Sequence, residues 1–477
     1  MTQFKGLILA VALALIGLGG SGCQTYNQQN AGTPLWKQGR LADAAKEFAR
    51  KAAKEQSGKD AMIWQLEDGA AQRAFGDLRQ SMAALDKVDE LIAKYEEKAK
   101  IRISSETGAL FSNQANLPYE GYDYDKVMVS TYKALNYLQL GEPDKARPEM
   151  FKAYQRQQDA VENNRKRIEK DSEAIQKAKA DASNAKAKAS SERAMQDPNF
   201  SGALNSHYSQ LDTLKAYADF VNPFPVYLDG LYFLNFSTGP SDLERANKSF
   251  ERVVAMAEDN KFVKADLETV QKALRGEPIP PITYVIFETG CAPWRDQIRI
   301  DLPLFFIGSG NVPYVGAAFP TLELDGNYLS SLVVSAEGVT ESTALVSSMD
   351  SVIGRSFKNE LPTIITKTIL STTIKATAAY GVNQAADHDE IFGILTKIAT
   401  GIAQAAVNIS DTRTWTTLPK EFQICRIPTP ASQMVDISAP GSGQRIQVKV
   451  EPNSVNLIYV KSINAMSPLI ASQIKLK

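Results

Sequence analysis

Histidine and cysteine are nearly missing from this 477-residue chain, which has two histidines, His207 and His388, and three cysteines, Cys23, Cys291 and Cys425. That scarcity makes a His/Cys metal cluster, or histidine-dependent catalysis, a poor expectation. An excess of charge of one sign is missing too. Lys and Arg number 53 against 54 Asp and Glu, a formal net charge of −1, so nothing points to nucleic acid as a partner. No run approaches the ~20 apolar residues that cross a bilayer comfortably; the one strongly apolar run is residues 7–18. The chain also lacks Gly-x-Ser-x-Gly, His-Glu-x-x-His, a Gly-x-Gly-x-x-Gly after a strand, and any Cys-x-x-Cys. His388 sits in Asp387-His-Asp389-Glu390, where adjacent side chains on a helix cannot all face one ion, so it reads as a solvated helix start. No enzyme activity and no cofactor is expected. What is present, 44% hydrophobic and 22% charged residues, is the balance of a globular protein of two or three domains.

The N-terminus has a short cationic start, the apolar run LILAVALALIGL, then Gly19-Gly-Ser-Gly-Cys23. This is the pattern of a secretory signal peptide over residues 1–22. Small residues directly before Cys23 resemble a bacterial lipobox, although Gly20 stands where that motif usually has Leu. Cys23 is therefore the expected lipid attachment site, followed by a polar tether over 23–34. Two or three acyl chains, at ~0.8 kcal/mol per buried CH₂, make a stable anchor. Residue 24 is Gln rather than Asp, which favours the outer membrane, with the chain facing the periplasm. Cys291 and Cys425 are then an even pair in an oxidising compartment. One disulfide or two separate buried thiols are both open readings.

Charge density divides the mature chain near Pro278, Pro280 and Pro281. Residues 23–282 carry 37 Lys and Arg with 38 Asp and Glu; residues 283–477 carry only 15 and 16. The first part is rich in helix formers and the second in β-branched runs broken by Pro and Gly. The expected fold is multidomain, with an all-α tetratricopeptide-like solenoid over 35–282 and a mixed α+β C-terminal domain over 283–477. The solenoid reading rests on four similar turns at Gly39, Gly76, Gly141 and Gly239. Each is followed by a small residue (Ala44, Ser81, Ala146, Ala246) and, a turn later, a large apolar one (Phe48, Leu85, Met150, Phe250).

Between the third and fourth units, residues 155–196 are polar, without Pro or Gly, with Val161, Ile168, Ile175 and Ala182 spaced by seven. They are expected to form a projecting helical arm inserted over 150–220. In the second part, strands are expected around 283–288, 297–307, 314–319, 329–334, 421–426, 433–437, 444–450 and 456–461. A packed helical hairpin is expected from 363–379 and 390–407.

Two stretches stand out: Leu117-Pro-Tyr-Glu-Gly-Tyr-Asp-Tyr-Asp125 running into Lys126–Gly141, and Asp411-Thr-Arg-Thr-Trp415-Thr-Thr-Leu-Pro419. With the lipobox and Glu288-Thr-Gly-Cys-Ala-Pro293, they resemble an uncharacterised family of bacterial tetratricopeptide-containing periplasmic lipoproteins. Its members often occur beside small lipoproteins similar to activators of penicillin-binding proteins. The resemblance implies a cell-envelope role, with envelope proteins as partners, and no established activity. Tyr119, Tyr122 and Tyr124, interleaved with acids, read either as a packed loop or as a contact surface for a partner, since aromatics are favoured at hot spots. Asp411, Arg413 and Trp415 read as an ion pair with a packed ring. The expected function is a lipid-anchored scaffold that binds partners through its concave helical face. The alternative is a peptidoglycan-acting enzyme or polysaccharide-binding protein with its site in the C-terminal domain.

Overall fold

The computed structural model describes residues 30–101, 115, 117–181, 184–215, 217, 221–305, 314–383 and 410–477. Cys23, the leader, most of the tether, Ala182, His388 and the expected 390–407 helix lie outside the described residues. A helix-rich N-terminal region is followed by a strand-containing C-terminal one. The helices are α1 (Gly32–Lys37), α2 (Leu41–Lys54), α3 (Ala61–Phe75), α4 (Leu78–Ile101), α5 (Asp123–Gln139), α6 (Pro143–Ala180), α7 (Ala185–Gln196), α8 (Pro198–Tyr208), α9 (Pro223–Asn235), α10 (Pro240–Met256) and α11 (Lys261–Leu274). Strands begin at β1 (Ile282–Thr289), where the charge density drops.

The four glycine turns join helix pairs α1/α2, α3/α4, α5/α6 and α9/α10. Gly76 shows why glycine is used: at φ +100° it closes α3 with its N–H on the Gln72 and Arg73 carbonyls. The spacing within pairs is stricter than the turns alone suggest. Gly32, Ala44 and Phe48 recur as Gly69, Ser81 and Leu85, and as Ala134, Ala146 and Met150, always 12 and 16 residues from the first. The fourth pair, Gly230, Ala246 and Phe250, carries four extra residues before the small one. Glycine on the first helix makes room for the large residue of the second. A Cβ at Gly32 would lie 2.6 Å from the Phe48 ring, at Gly69 2.6 Å from Leu85, and at Gly230 2.9 Å from Phe250.

The C-terminal region packs onto the first helices of these pairs. Its main sheet has the order β11-β10-β1-β7-β6, with β6 (Ala344–Ser348), β7 (Glu421–Pro428), β10 (Asn456–Ser462) and β11 (Ile470–Lys475). Strand β1 pairs parallel with β10 and antiparallel with β7. Period-two alternation puts Tyr284, Ile286 and Glu288 on one face of β1, level with Leu457, Tyr459 and Lys461 and with Arg426, Ile424 and Phe422. That face meets α3, α5 and α9. Phe422 stacks on Phe224 with centroids 3.8 Å apart, and Tyr132 donates to Glu288. Helices buried on every side result: in α9 all of Pro223–Asn235 is buried, and in α3 all of Ala61–Ala74. One hydrophobic core runs from Trp36 to Leu476 through both regions.

A second sheet, β5-β4-β8-β9, is built from β4 (Val333–Ala336), β5 (Val339–Ser342), β8 (Met434–Ser438) and β9 (Arg445–Lys449), and its Val334, Val435 and Ile437 join the same core. A two-stranded ribbon of β2 (Trp294–Pro303) and β3 (Tyr314–Glu323) packs on α8 through Phe200 and Phe319. Strands β5, β6 and β11 had no counterpart in the sequence reading.

The arm differs from expectation in what it touches. Helix α6 ends at Ala180, α7 begins at Ala185, and α8 follows at Pro198. Of the spaced residues, Val161 is exposed and Ile175 is buried against Leu370. Its partner is helix α12 (Met349–Asn383), which begins before the expected 363–379 helix and continues through Pro362. Lys367 on α12 bonds Asp171 on α6 at 2.9 Å. The arm is thus docked along α12 rather than projecting freely. Among the described residues, no helix is long and apolar enough to cross a membrane.

Candidate functional site

The two distinctive sequence stretches meet where α3, α5, α6, α12 and β2 converge. In the first, Asp125 closes the start of α5: its Oδ2 accepts the Tyr122 N–H at 2.9 Å and the Tyr119 hydroxyl at 2.6 Å. Tyr122 and Tyr124 lie parallel with centroids 5.2 Å apart, and Tyr119 meets Tyr122 edge-on at 5.8 Å. Arg295, from β2, covers the Tyr122 ring at 4.1 Å. Its charge is met by Glu360 of α12 at 3.2 Å, which also takes Arg167 of α6 at 2.5 Å. The arm, the aromatic loop and the ribbon are therefore joined through one carboxylate.

The second stretch lies beside the first. Arg413 pairs with Asp411 at 2.7 Å and Asp60 at 3.0 Å, and donates to the Leu117 carbonyl at 2.8 Å. Trp415 is fully buried, edge-on to Tyr132 at 5.9 Å. Glu67 of α3 accepts the Thr416 N–H, the Thr416 hydroxyl and the Thr417 N–H at 2.8, 2.7 and 3.0 Å. The turn at Thr416-Thr417 is thereby held against the helical face by one carboxylate, through two backbone N–H groups and a hydroxyl.

Two further buried carboxylates lie along the same contact. Glu288 accepts from Tyr132, Tyr459 and Lys461, with Arg73 over the Tyr459 ring at 4.8 Å. Burial pushes its carboxyl up, but Lys461 and Arg73 outweigh that and hold it below the usual range. Asp266 accepts from Tyr227 at 3.0 Å and Arg426 at 2.6 Å, and burial pushes it up to about 6. Asp125, buried without a cation bonded to it, is pushed up to about 7. Each acid is served by tyrosine hydroxyls, which donate to a carboxylate while adding apolar ring area.

The three tyrosines are not a contact surface. Tyr119, Tyr122 and Tyr124 are 3%, 9% and 5% exposed, because ring stacking and the Asp125 cap fold them inward. The expected concave binding face is likewise not open, since the sheet and residues 410–420 fill it. Cys291 and Cys425 are free, buried thiols. Cys425 is level with Val285 in the middle of β1, whereas Cys291 follows the end of that strand, with its Sγ 3.7 Å from the Ile463 carbonyl. Burial raises both thiols to about 12. Among the described residues, no three His, Cys, Asp or Glu side chains are grouped as metal ligands. A shallow cleft elsewhere, beside β6, is lined by Lys215, Tyr217, Met256, Asn260 and Leu345.

Sequence reading reached Asp411, Arg413, Trp415 and the tyrosines, and Glu288 only as the first residue of a distinctive stretch, but missed Glu67, Arg167, Arg295 and Glu360. Glu288 had a signal, as the acid in the otherwise uncharged strand TYVIFET. No family model, curated protein or solved structure matches the chain.

Proposed function

We propose that the protein is a scaffold of the bacterial cell envelope, anchored through acylated Cys23 to the outer membrane on its periplasmic face, that binds envelope proteins and catalyses no reaction. The repeating glycine–small–large spacing of the helix pairs carries this reading. Its second half, Ala44-x-x-x-Phe48 and its equivalents, is that of tetratricopeptide repeats, whose general use is partner binding. The resemblance to tetratricopeptide-containing lipoproteins and the leader supports the location. Partners bind the outer face of the second helices or the arm, because the first helices are committed to the C-terminal region. Acyl anchoring restricts such a scaffold to one surface and so raises its effective concentration toward partners there.

Affinity capture from crosslinked membranes is expected to return a specific envelope protein, and Cys23→Ala is expected to move the chain out of the membrane fraction. Retention of that variant in membranes defeats the anchor. Release of muropeptides from peptidoglycan by the purified form lacking residues 1–23 defeats the scaffold in favour of a cell-wall enzyme.

A further inference from the structure

Three buried polar atoms at the junction have no hydrogen-bond partner: the Tyr124 hydroxyl, Asp125 Oδ1 and Arg295 Nε. Their side chains belong to one cluster. Tyr122 stacks on Tyr124, lies under the Arg295 guanidinium, and gives its N–H to the other oxygen of Asp125. Tyr124 also interacts electrostatically with both Asp125 and Arg295. The residues are 5%, 1% and 3% exposed. A buried polar atom without a partner is costly, and three such atoms on side chains of one packed cluster point to a shared partner.

We propose that Tyr124, Asp125 and Arg295 form an internal hydration site holding an ordered water. The chemistry selects water over an ion. Arg295 Nε offers a donor, Asp125 Oδ1 an acceptor, and Tyr124 either. A water accepts from the first, donates to the second and satisfies the third, matching the roughly three bonds that buried waters make. An anion meets the Asp125 carboxylate and finds the Arg295 charge already taken by Glu360. A cation meets the guanidinium. The site joins the start of α5 to β2, and through Glu360 to the arm.

The experiment uses the chain lacking residues 1–23, with Tyr124→Phe as the variant. Removing an unpartnered buried hydroxyl leaves stability unchanged or raises it. Removing one that binds a shared water leaves that water with two partners and lowers the melting temperature. The expected result is a lower melting temperature for Tyr124→Phe, with crystals of the parent showing water density within hydrogen-bonding distance of all three atoms. A raised or unchanged melting temperature, or no such density in a crystal structure at better than ~2 Å, overturns the proposal. Should the variant fail to fold, the parent's crystal density decides alone.

Discussion

Asp125→Asn gives a direct measure of what the aromatic junction costs. Asp125 is fully buried, with Tyr119 and the Tyr122 N–H bonded to it, Tyr124 beside it, Glu67 of α3 repelling it and Arg295 of β2 attracting it. Burial dominates and raises its carboxyl from 3.8 to about 7. A carboxyl with a raised folded-state pKa binds its proton more tightly when folded. Stability is therefore full below pH ~4 and is lost as pH rises toward 7. Three pKa units correspond to a loss of about 4 kcal/mol at alkaline pH. Asp68 and Asp266, raised to about 6 by burial, act in the same direction but finish titrating earlier. Between pH 6 and 8 about 1.4 kcal/mol of the Asp125 loss remains to appear, while Asp68 and Asp266, half-titrated at pH 6, add about 0.4 kcal/mol each and cancel when parent and variant are compared. Urea unfolding at intervals across that range is the assay. The parent should lose about 1.4 kcal/mol more than Asp125→Asn, whose amide resembles the protonated acid and does not titrate. Parallel profiles for the two proteins over pH 6–8 refute the argument.

Two other outcomes follow from the packing. Leu85→Ala should cost about 2–5 kcal/mol and Gly69→Ala about 1–3, the latter because its Cβ would sit 2.6 Å from Leu85. In the Leu85→Ala background, Gly69→Ala should become neutral or stabilising, as the clash disappears and alanine favours a helix; equal costs in both backgrounds would contradict the contact. The form lacking residues 1–23 should show two titratable thiols in denaturant and negligible reaction when native, since Cys291 and Cys425 are buried and protonated; a count of zero in denaturant would reveal a disulfide.

Local chemistry made much of the helical region readable. Gly76, Ser81 and Leu85 mark a turn, a close approach and a core contact at fixed helical spacing, and each does what its type and position suggest. Strands were legible where alternation was strong, as in β1 and β7, and not in β5 or β11, which are short edge strands held by pairing rather than by pattern. The junction was half legible. Asp411 and Arg413 lie two residues apart and announce a pair. Arg413 with Asp60, and Arg295 with Glu360, pair across 353 and 65 positions, and no local pattern marks such partners. Exposure was the least legible property. Tyr119, Tyr122 and Tyr124 alternate with acids, which suggests a surface, yet the acid cap turns the rings inward.

The burial of α3, α5 and α9 bears on where any partner binds. Had the sheet been a separate unit beside the helices, their inner face would be free and carry an apolar groove. Instead Phe224 stacks on Phe422, Tyr132 reaches Glu288, and Glu67 grips the backbone at Thr416 and Thr417. Opening that face breaks a fully bonded carboxylate site and exposes Trp415, each costing on the order of several kcal/mol. A partner competing for it would have to replace those contacts one for one. The outer helices need no such exchange. Phe151 of α6 is 44% exposed with Arg245 of α10 over its ring at 4.1 Å, an aromatic already in contact with solvent. For the proposed scaffold, binding at the outer face is thus the mode that leaves the core intact.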